Sequence, residues 1–295
     1  VDYSVIGKKI RELRKVVGLT QGELAEGICT QALISRIEKG DIYPSATSLY
    51  QISKKLGVDV NYFFEIGTTP RLDYVKEVER QLRKLRIKHR YSEMMEMVIA
   101  EENNPLFKEK ANLQLLYWHK GIYKFEVEHN YEDAFPLLEK AFSLTANSKK
   151  ALSEREMEIL LAFGAFYFGM EKYQEALGYY EEVRGAINTT GQLNDKSIKT
   201  RLLYNIARVL TRLGSYKESI KYCKEAIKWC IEEEHLYGLG QLHYHIGYNF
   251  ELEENYEKAL LYIKKSILIF EMLENDEHLT YLTNKVEEIT KKTLS

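Results

Sequence analysis

The sequence predicts an all-α protein in two parts, a small helical bundle followed by an array of repeated helix pairs. Three observations lead there. Only four prolines (Pro44, Pro70, Pro105 and Pro136) occur in 295 residues, and Glu, Lys, Leu and Ile run throughout, which favours long helices over strands. Apolar residues recur at helical spacing from Ile6 onward. A tyrosine returns at Tyr91, Tyr131, Tyr173, Tyr216 and Tyr256, at spacings of 40, 42, 43 and 40 residues, the mark of an internal repeat.

Composition sets the outer bounds. With 45% hydrophobic and 29% charged residues the chain can bury a sizeable core, which argues against disorder. Three cysteines, Cys29, Cys223 and Cys230, form no paired framework and suit a reducing compartment. Cys223 and Cys230 lie seven apart and read as buried small hydrophobes. No apolar run approaches the roughly 20 residues of a membrane span. The most apolar stretch, Ile159 to Met170, reads as a buried helix. The opening VDYSVIGKKIREL has the character of neither a secretory signal nor a transit peptide. The expectation is a soluble cytoplasmic protein with no membrane partner.

The bundle can be followed helix by helix. From Ile6, IGKKIRELRKVVGL places Ile6, Ile10, Leu13 and Val17 at helical spacing and stops at Gly18. Thr20, with Glu23 three residues on, makes a capping box for a short second helix. Its Leu24 and Ile28 face inward, and Ala25 is small enough for close packing. A third helix starts near Gln31, buries Ile34 and Ile37, and ends at Gly40. Ser45 caps a fourth, whose apolar face is Leu49, Ile52 and Leu56. A fifth, VNYFFEI, closes the bundle with Tyr62, Phe63 and Phe64 as aromatic plugs.

Two short helices joined by a tight turn inside five helices resemble the lambda-repressor-like helix-turn-helix domain. The resemblance rests on Gly7, Arg11, the GLTQ-x-x-LA run from Gly18 to Ala25, ISRIE-x-G from Ile34 to Gly40, and Pro44-Ser45. The repressor pattern has one more residue between the two helices than ICTQALISRIE provides. Either the turn is tighter or the third helix starts late, which shifts the first recognition residues by about one position. With Ile34 and Ile37 inside, Gln31, Ala32, Ser35 and Arg36 fall on the opposite face. A Gln can pair with adenine, an Arg with guanine, and Ala32 can approach a thymine methyl. Gln21 is placed to touch a phosphate, as in similar domains, and Lys8, Lys9, Arg11 and Tyr43 can add backbone contacts. A surface salt bridge at Arg36 and a solvated face at Lys8 and Lys9 are the plain alternatives. Residues 1–67 hold nine Lys+Arg against eight Asp+Glu, a net of +1. Such a domain binds one half-site weakly, so a homodimer on a two-part DNA operator is expected.

Each recurring tyrosine opens the second helix of an apparent pair. KYQEALGYYEEV, SYKESIKYCKEAI and NYEKALLYIKKSI share a small residue three positions on, at Ala176, Ser219 and Ala259. NYEDAFPLLEKAF is a looser copy and RYSEMMEMVI the most degenerate. The preceding helices carry a small residue midway, at Gly164, Ala207 and Gly247, where two helices must approach closely. This pattern resembles the tetratricopeptide repeat, whose period is ~34 residues; here helices or loops must be longer. About five pairs, closed by a C-terminal capping helix from Asp276 to Lys291, build a right-handed superhelix. Its concave wall, made mainly by the first helices, suits an extended peptide or another helix; a scaffold for dimerisation alone is the plain alternative.

Candidate groove residues follow from helix faces. Arg201, Asn205 and Arg208 share one face of LLYNIARVL, and Gln241, Tyr244 and Tyr248 hold comparable places on GLGQLHYHIGYNF. Amides at Asn205 and Gln241 carry a donor and an acceptor and can grip any peptide backbone. The tyrosines offer flat apolar area with a polar tip. Equally, Tyr248 can be core and Asn205 can satisfy a neighbouring helix end. Residues 68–90 hold eight Lys+Arg against three Asp+Glu, a net of +5, and RQLRKLRIKHRY reads as the first helix of the array. It can meet DNA phosphates, an acidic ligand group or a peptide carboxylate, or be a solvated face. Enzyme chemistry finds no support. His243 and His245 are two apart, on different helix faces, and there is no CxxC, P-loop, GxSxG or GxGxxG motif.

A repressor-type helix-turn-helix, a basic linker helix and degenerate tetratricopeptide-like repeats together resemble the RNPP group. These are peptide-pheromone quorum-sensing regulators of Gram-positive bacteria, and the likeness to PlcR-type activators is strongest. The short-turn signature IC-x-Q-x-x-x-SRIE-x-G-x-x-YPS, Ile28 to Ser45, is the nearest point of likeness. The resemblance implies a homodimeric transcription regulator that binds a short signalling peptide in the groove, which moves its two DNA-binding domains. In that group an Asn on a first helix commonly holds the peptide backbone, and Asn205 matches it. Gln241 sits similarly one repeat later, and Lys88 and Arg90 lie on the helix that can supply basic contacts. LLAFGAFYF is apolar where groove positions fall, which implies a more hydrophobic or differently placed peptide. The domains expected are 1–67 for DNA binding, 68–90 as a basic linker helix, and 71–295 for the repeats. No cofactor or metal is expected. One other reading stays open, repeats that dock a protein partner without a peptide; the intact helix-turn-helix argues against a phosphatase-like or enzyme-inhibiting repeat protein.

Overall fold

The computed structural model describes residues 3–68, 71–146 and 151–294; Pro70, just before the expected start of the repeats, lies outside them. Every regular element among the described residues is helical. Five helices make the bundle: α1 (Tyr3–Val17), α2 (Gln21–Ala25), α3 (Gln31–Lys39), α4 (Ala46–Leu56) and α5 (Val60–Thr68). Five pairs and a last helix follow: α6 (Leu72–Ile87) with α7 (Tyr91–Glu101), α8 (Lys110–Glu126) with α9 (Tyr131–Ser143), and α10 (Glu154–Gly169) with α11 (Tyr173–Thr190). Then come α12 (Ser197–Arg212) with α13 (Tyr216–Glu232), α14 (Leu239–Leu252) with α15 (Tyr256–Met272), and α16 (Asp276–Leu294). By its internal contacts the chain forms two compact units, Val1–His119 and Lys120–Ser295, so the division falls inside α8.

In the first unit local signals set the helix ends. Thr20 and Glu23 form the capping box of α2, and Thr30 and Ser45 cap α3 and α4 through their side chains. Ile6, Ile10, Leu24, Ile34, Ile37, Leu49, Ile52, Leu56 and Phe63 form one buried core. Two sequence expectations fail here. Phe64 is 49% exposed and Tyr62 only half-buried, so Phe63 alone is a plug; successive residues on a one-turn-deep face cannot all point inward. Val17 is 48% exposed because α1 ends there, beyond the reach of the core.

The core also holds a charged pair that apolar patterning does not describe. Arg14 Nη2 donates to Glu38 Oε2 at 3.0 Å, and its Nη1 to the Leu19 carbonyl at 2.7 Å. Burial alone pushes the Glu38 carboxyl up, but hydrogen bonds from Arg14 and Gln21 and the nearby guanidinium charges carry it below its ordinary value.

In the repeats every recurring tyrosine is the first residue of a helix: α7, α9, α11, α13 and α15. Two residues before each, the backbone turns left-handed, at His89, His129, Glu171, Gly214 and Glu254. Only one of these five is the glycine that such a turn favours. In the second unit α10, α12 and α14 lie side by side, each packed on its own partner, and α15 carries α16. Among the described glycines of the repeats, close approach is tightest at Gly164, where an added Cβ would lie 2.2 Å from Cε1 of the buried Tyr180. Ala176, Ser219 and Ala259 are fully buried, as the repeat pattern requires. Cys223 and Cys230 are buried free thiols; burial pushes Cys223 up to about 12, which suits packing rather than reactivity.

Candidate functional site

Two surfaces carry unsatisfied polar side chains. The first is the outer face of α3. Thr30 caps the helix and Gly40 closes it, so the nine-residue segment is held at both ends. Gln31, Ala32 and Arg36 are exposed and Ser35 half-exposed, opposite the buried Ile34 and Ile37. Among the described residues Arg36 has no ion pair and Gln31 no side-chain hydrogen bond, so both keep their donors for a ligand. Tyr43 is 44% exposed beyond the helix end.

The third helix begins at Gln31, where the sequence places it, so it does not start late. α2 has only five residues, and Glu26 to Thr30 form the connection. Lys55 on α4 closes that short helix, its Nζ donating to the carbonyls of Glu23 at 2.7 Å and Glu26 at 2.6 Å. Gln21 is less free than the repressor likeness implied. Its Nε2 donates to Glu38 Oε2 at 2.9 Å, which leaves one amide N–H to donate to a phosphate. Glu38 thus holds Arg14 and Gln21 together. The signal was available: Arg14 follows Ile10 by four residues and Glu38 follows Ile34 by four, so both charges lie on apolar faces.

The second surface is the wall made by α12 and α14. Asn205 and Gln241 are half-buried, and neither side-chain amide has a hydrogen-bond partner among the described residues. Asn205 therefore does not serve a neighbouring helix end. Gln241 and Tyr244 line a cavity of about 420 Å³ together with Tyr204, Phe270, His278, Tyr281 and Leu282. Tyr244 Oη is 2.8 Å from that of Tyr281 on the capping helix, and Tyr248 is half-buried, its ring stacked near Tyr244. Tyr204 and the lining from α15 and α16 carry no sequence signal, because only the stacking of two repeats and the capping helix brings them together.

Arg201 is drawn out of the candidate set. Its Nη2 lies 2.7 Å from Glu158 Oε1 and 3.4 Å from Asp195 Oδ2, and its side chain is only 16% exposed. A carboxylate from the preceding repeat already neutralises it. Arg208, two turns on, instead lays its guanidinium 4.3 Å from the Phe168 ring centroid. In the first unit, Lys88 and Arg90 sit in the turn between α6 and α7, not on the helix, because α6 ends at Ile87. Arg90 is paired with Glu93, while Lys88 is exposed.

Among the described residues no group of three or more His, Cys, Asp or Glu side chains can hold a metal ion. None of their helices is long and apolar enough to cross a membrane.

With this geometry in view, comparison with known proteins is decisive at the family level. A helix-turn-helix family model matches residues 10–63, and the model of the RNPP family C-terminal domain matches residues 79–289. The chain belongs to the RNPP family. Its likeness to solved RNPP structures covers both units. PlcR of Bacillus thuringiensis, in complex with the peptide PapR7 and DNA, shares 24% identity and a TM-score of 0.86, covering 95% of this chain and 99% of that one. ComR of S. thermophilus, with DNA and its signalling peptide ComS, shares 18% identity and a TM-score of 0.64, over 97% and 99% of the chains. Rgg2 of Streptococcus dysgalactiae, a pheromone receptor, shares 16% and 0.62, over 96% and 99%. No curated protein sequence matches the chain. At these identities the structures establish the shared RNPP fold.

Proposed function

We propose that this RNPP protein is a homodimeric, sequence-specific transcription regulator whose repeats bind a short signalling peptide, and that the peptide alters the placement of its two DNA-binding domains. The observation that carries the reading is the pair of half-buried, unbonded amides, Asn205 and Gln241, on adjacent repeat helices of a chain that also presents an unbonded Gln31 and Arg36 on α3. Free amides on a rigid wall match the alternating donors and acceptors of an extended backbone. The domains are residues 1–67 for DNA, 68–90 as linker, and 71–295 for peptide and dimerisation. The family membership and the relatives' complexes with DNA and peptides support a regulator rather than an enzyme.

Calorimetric titration with synthetic peptides from reading frames beside the gene tests the ligand. Binding that Asn205→Ala abolishes supports the proposal; no binding by any of them counts against it. On the DNA side, Arg36→Ala should cost ~1–3 kcal/mol of operator affinity and relax one base position. A uniform loss over all sequences assigns Arg36 to a phosphate instead. A second reading, in which the repeats dock a protein and no peptide, draws support from one face of α15. There Leu261, Leu268 and Met272 are 52%, 60% and 79% exposed. A stoichiometric protein partner and peptide-independent DNA affinity would favour it.

A further inference from the structure

Arg201 and Arg208 lie two turns apart on α12 and differ in one respect that matters. Arg201 is neutralised by Glu158 and Asp195. Arg208 is half-buried and has no carboxylate or hydrogen-bond partner among the described residues. Its guanidinium lies over the Phe168 ring at 4.3 Å and beside Tyr204 at 5.9 Å from the ring centroid. The titratable groups that feel its charge are Tyr180 of α11, Tyr204 of α12 itself and His245 of α14. Burial keeps all three neutral: it pushes both tyrosines up and His245 down to about 4. Arg212, one turn further and exposed, is a second cation with no ion pair among the described residues.

A guanidinium in this setting has lost hydration without gaining a counter-charge. Its contact with the Phe168 ring leaves its N–H groups unbonded, and a guanidinium with free N–H groups can receive a carboxylate through two parallel hydrogen bonds. Tyr204, which flanks Arg208, is also a wall of the cavity of about 420 Å³ that reaches Gln241, Phe270 and Leu282. Tyr204 thus stands between that largely aromatic cavity and Arg208, and a ligand long enough to pass it would meet both.

We propose that the wall selects an acidic peptide, whose carboxylate pairs with Arg208 while an apolar side chain of the same ligand fills the cavity beyond Tyr204. This rests on the reading of the repeats as a peptide receptor. The carboxylate is an Asp or Glu side chain or the peptide's C-terminus, and one experiment separates the two.

The probe is an array of seven-residue synthetic peptides of varied sequence, made with free and with amidated C-termini, offered to the full-length protein and followed by calorimetry on the binders. Binders should be rich in Asp or Glu, or should require the free C-terminus. Removing the carboxylate, by Glu→Gln or Asp→Asn in the peptide or by amidation, should weaken wild-type binding ~10- to 100-fold. The same change should have little effect on Arg208→Gln, the signature of a direct pair in a double-mutant cycle. Should Arg208→Gln fail to fold by circular dichroism, Arg208→Lys carries the test, since it keeps the charge and loses the fork; it should fall between wild type and the carboxylate-free peptide. Binders that are indifferent both to their carboxylates and to Arg208 overturn the proposal and leave the peptide receptor standing. Binding by no peptide of the array overturns both.

Discussion

The helix-turn-helix bundle and the repeat wall both hold unbonded polar side chains on rigid helices, yet they are rigid for different reasons. The bundle is braced from inside by a charged pair: Arg14 and Glu38 bridge α1 and α3, and Glu38 also holds Gln21 on α2. The wall is braced by shape. Gly164 admits the ring of Tyr180, Ala207 is fully buried, and each pair is joined through a left-handed turn. The difference teaches where each surface is vulnerable. The wall is exposed to an added methyl; the bundle shares that weakness at Gly7, where an added Cβ would lie 2.0 Å from the Ile37 carbonyl oxygen, and adds to it the loss of a buried charge.

The largest effect should come from Glu38→Ala, which leaves Arg14 buried and unpaired and should destabilise the bundle by about 3–5 kcal/mol. Urea unfolding followed by probes in each region should show the bundle's transition move and the repeats' transition stay. A common shift of both would break the contrast. The same pair predicts a pH dependence. The folded carboxyl of Glu38 titrates below its ordinary value of 4.5, so the unfolded state takes up the proton first. Its contribution is therefore complete above the ordinary carboxylate range and lost as pH falls through the lower, folded value. Wild type should lose bundle stability in that acid window more steeply than Glu38→Ala. Parallel curves would show that Glu38 is not the responsible group.

Next in size, Gly164→Ala should cost about 1–3 kcal/mol in the repeats alone, because the new Cβ meets the Tyr180 ring at 2.2 Å and that ring has no exposed side to move toward. A neutral result would mean that α10 and α11 separate freely, against the shape-braced account. The smallest effects concern the turns. Gly214→Ala places a Cβ in the left-handed region and should cost about 1 kcal/mol, whereas Glu171→Gly removes one there and should gain a fraction of that. Thermal unfolding midpoints that move in opposite directions would sharpen the repeat comparison; movement in the same direction would show that side-chain contacts, not backbone strain, rule these turns.

Much of the architecture was legible beforehand because its signals are local. A cap such as Thr20 or Ser45 acts within three residues, and an apolar face shows within two turns of helix. Each of the five tyrosines marks a helix start because the same turn chemistry precedes it. The left-handed turns themselves were not legible, since four of the five use His or Glu where composition rules expect glycine. Phe64 and Val17 misled because a helix buries only the residues that its neighbours reach: Phe64 follows Phe63 onto the other side of α5, and Val17 is the last residue of α1.

The candidate sites divide along the same line. From the sequence alone one can place Gln31 and Arg36 opposite Ile34 and Ile37, and Asn205 and Arg208 on one face of α12, because helical geometry within a segment fixes those relations. Whether a polar group on such a face is free or engaged was decided only by the tertiary structure. Arg201 is met by Glu158, forty-three positions earlier, and Gln21 by Glu38, seventeen positions later; Arg208 meets a phenyl ring where its counterpart meets a carboxylate. Periodicity says which way a side chain points, but the charge or ring waiting there belongs to another helix, and packing alone brings it within reach.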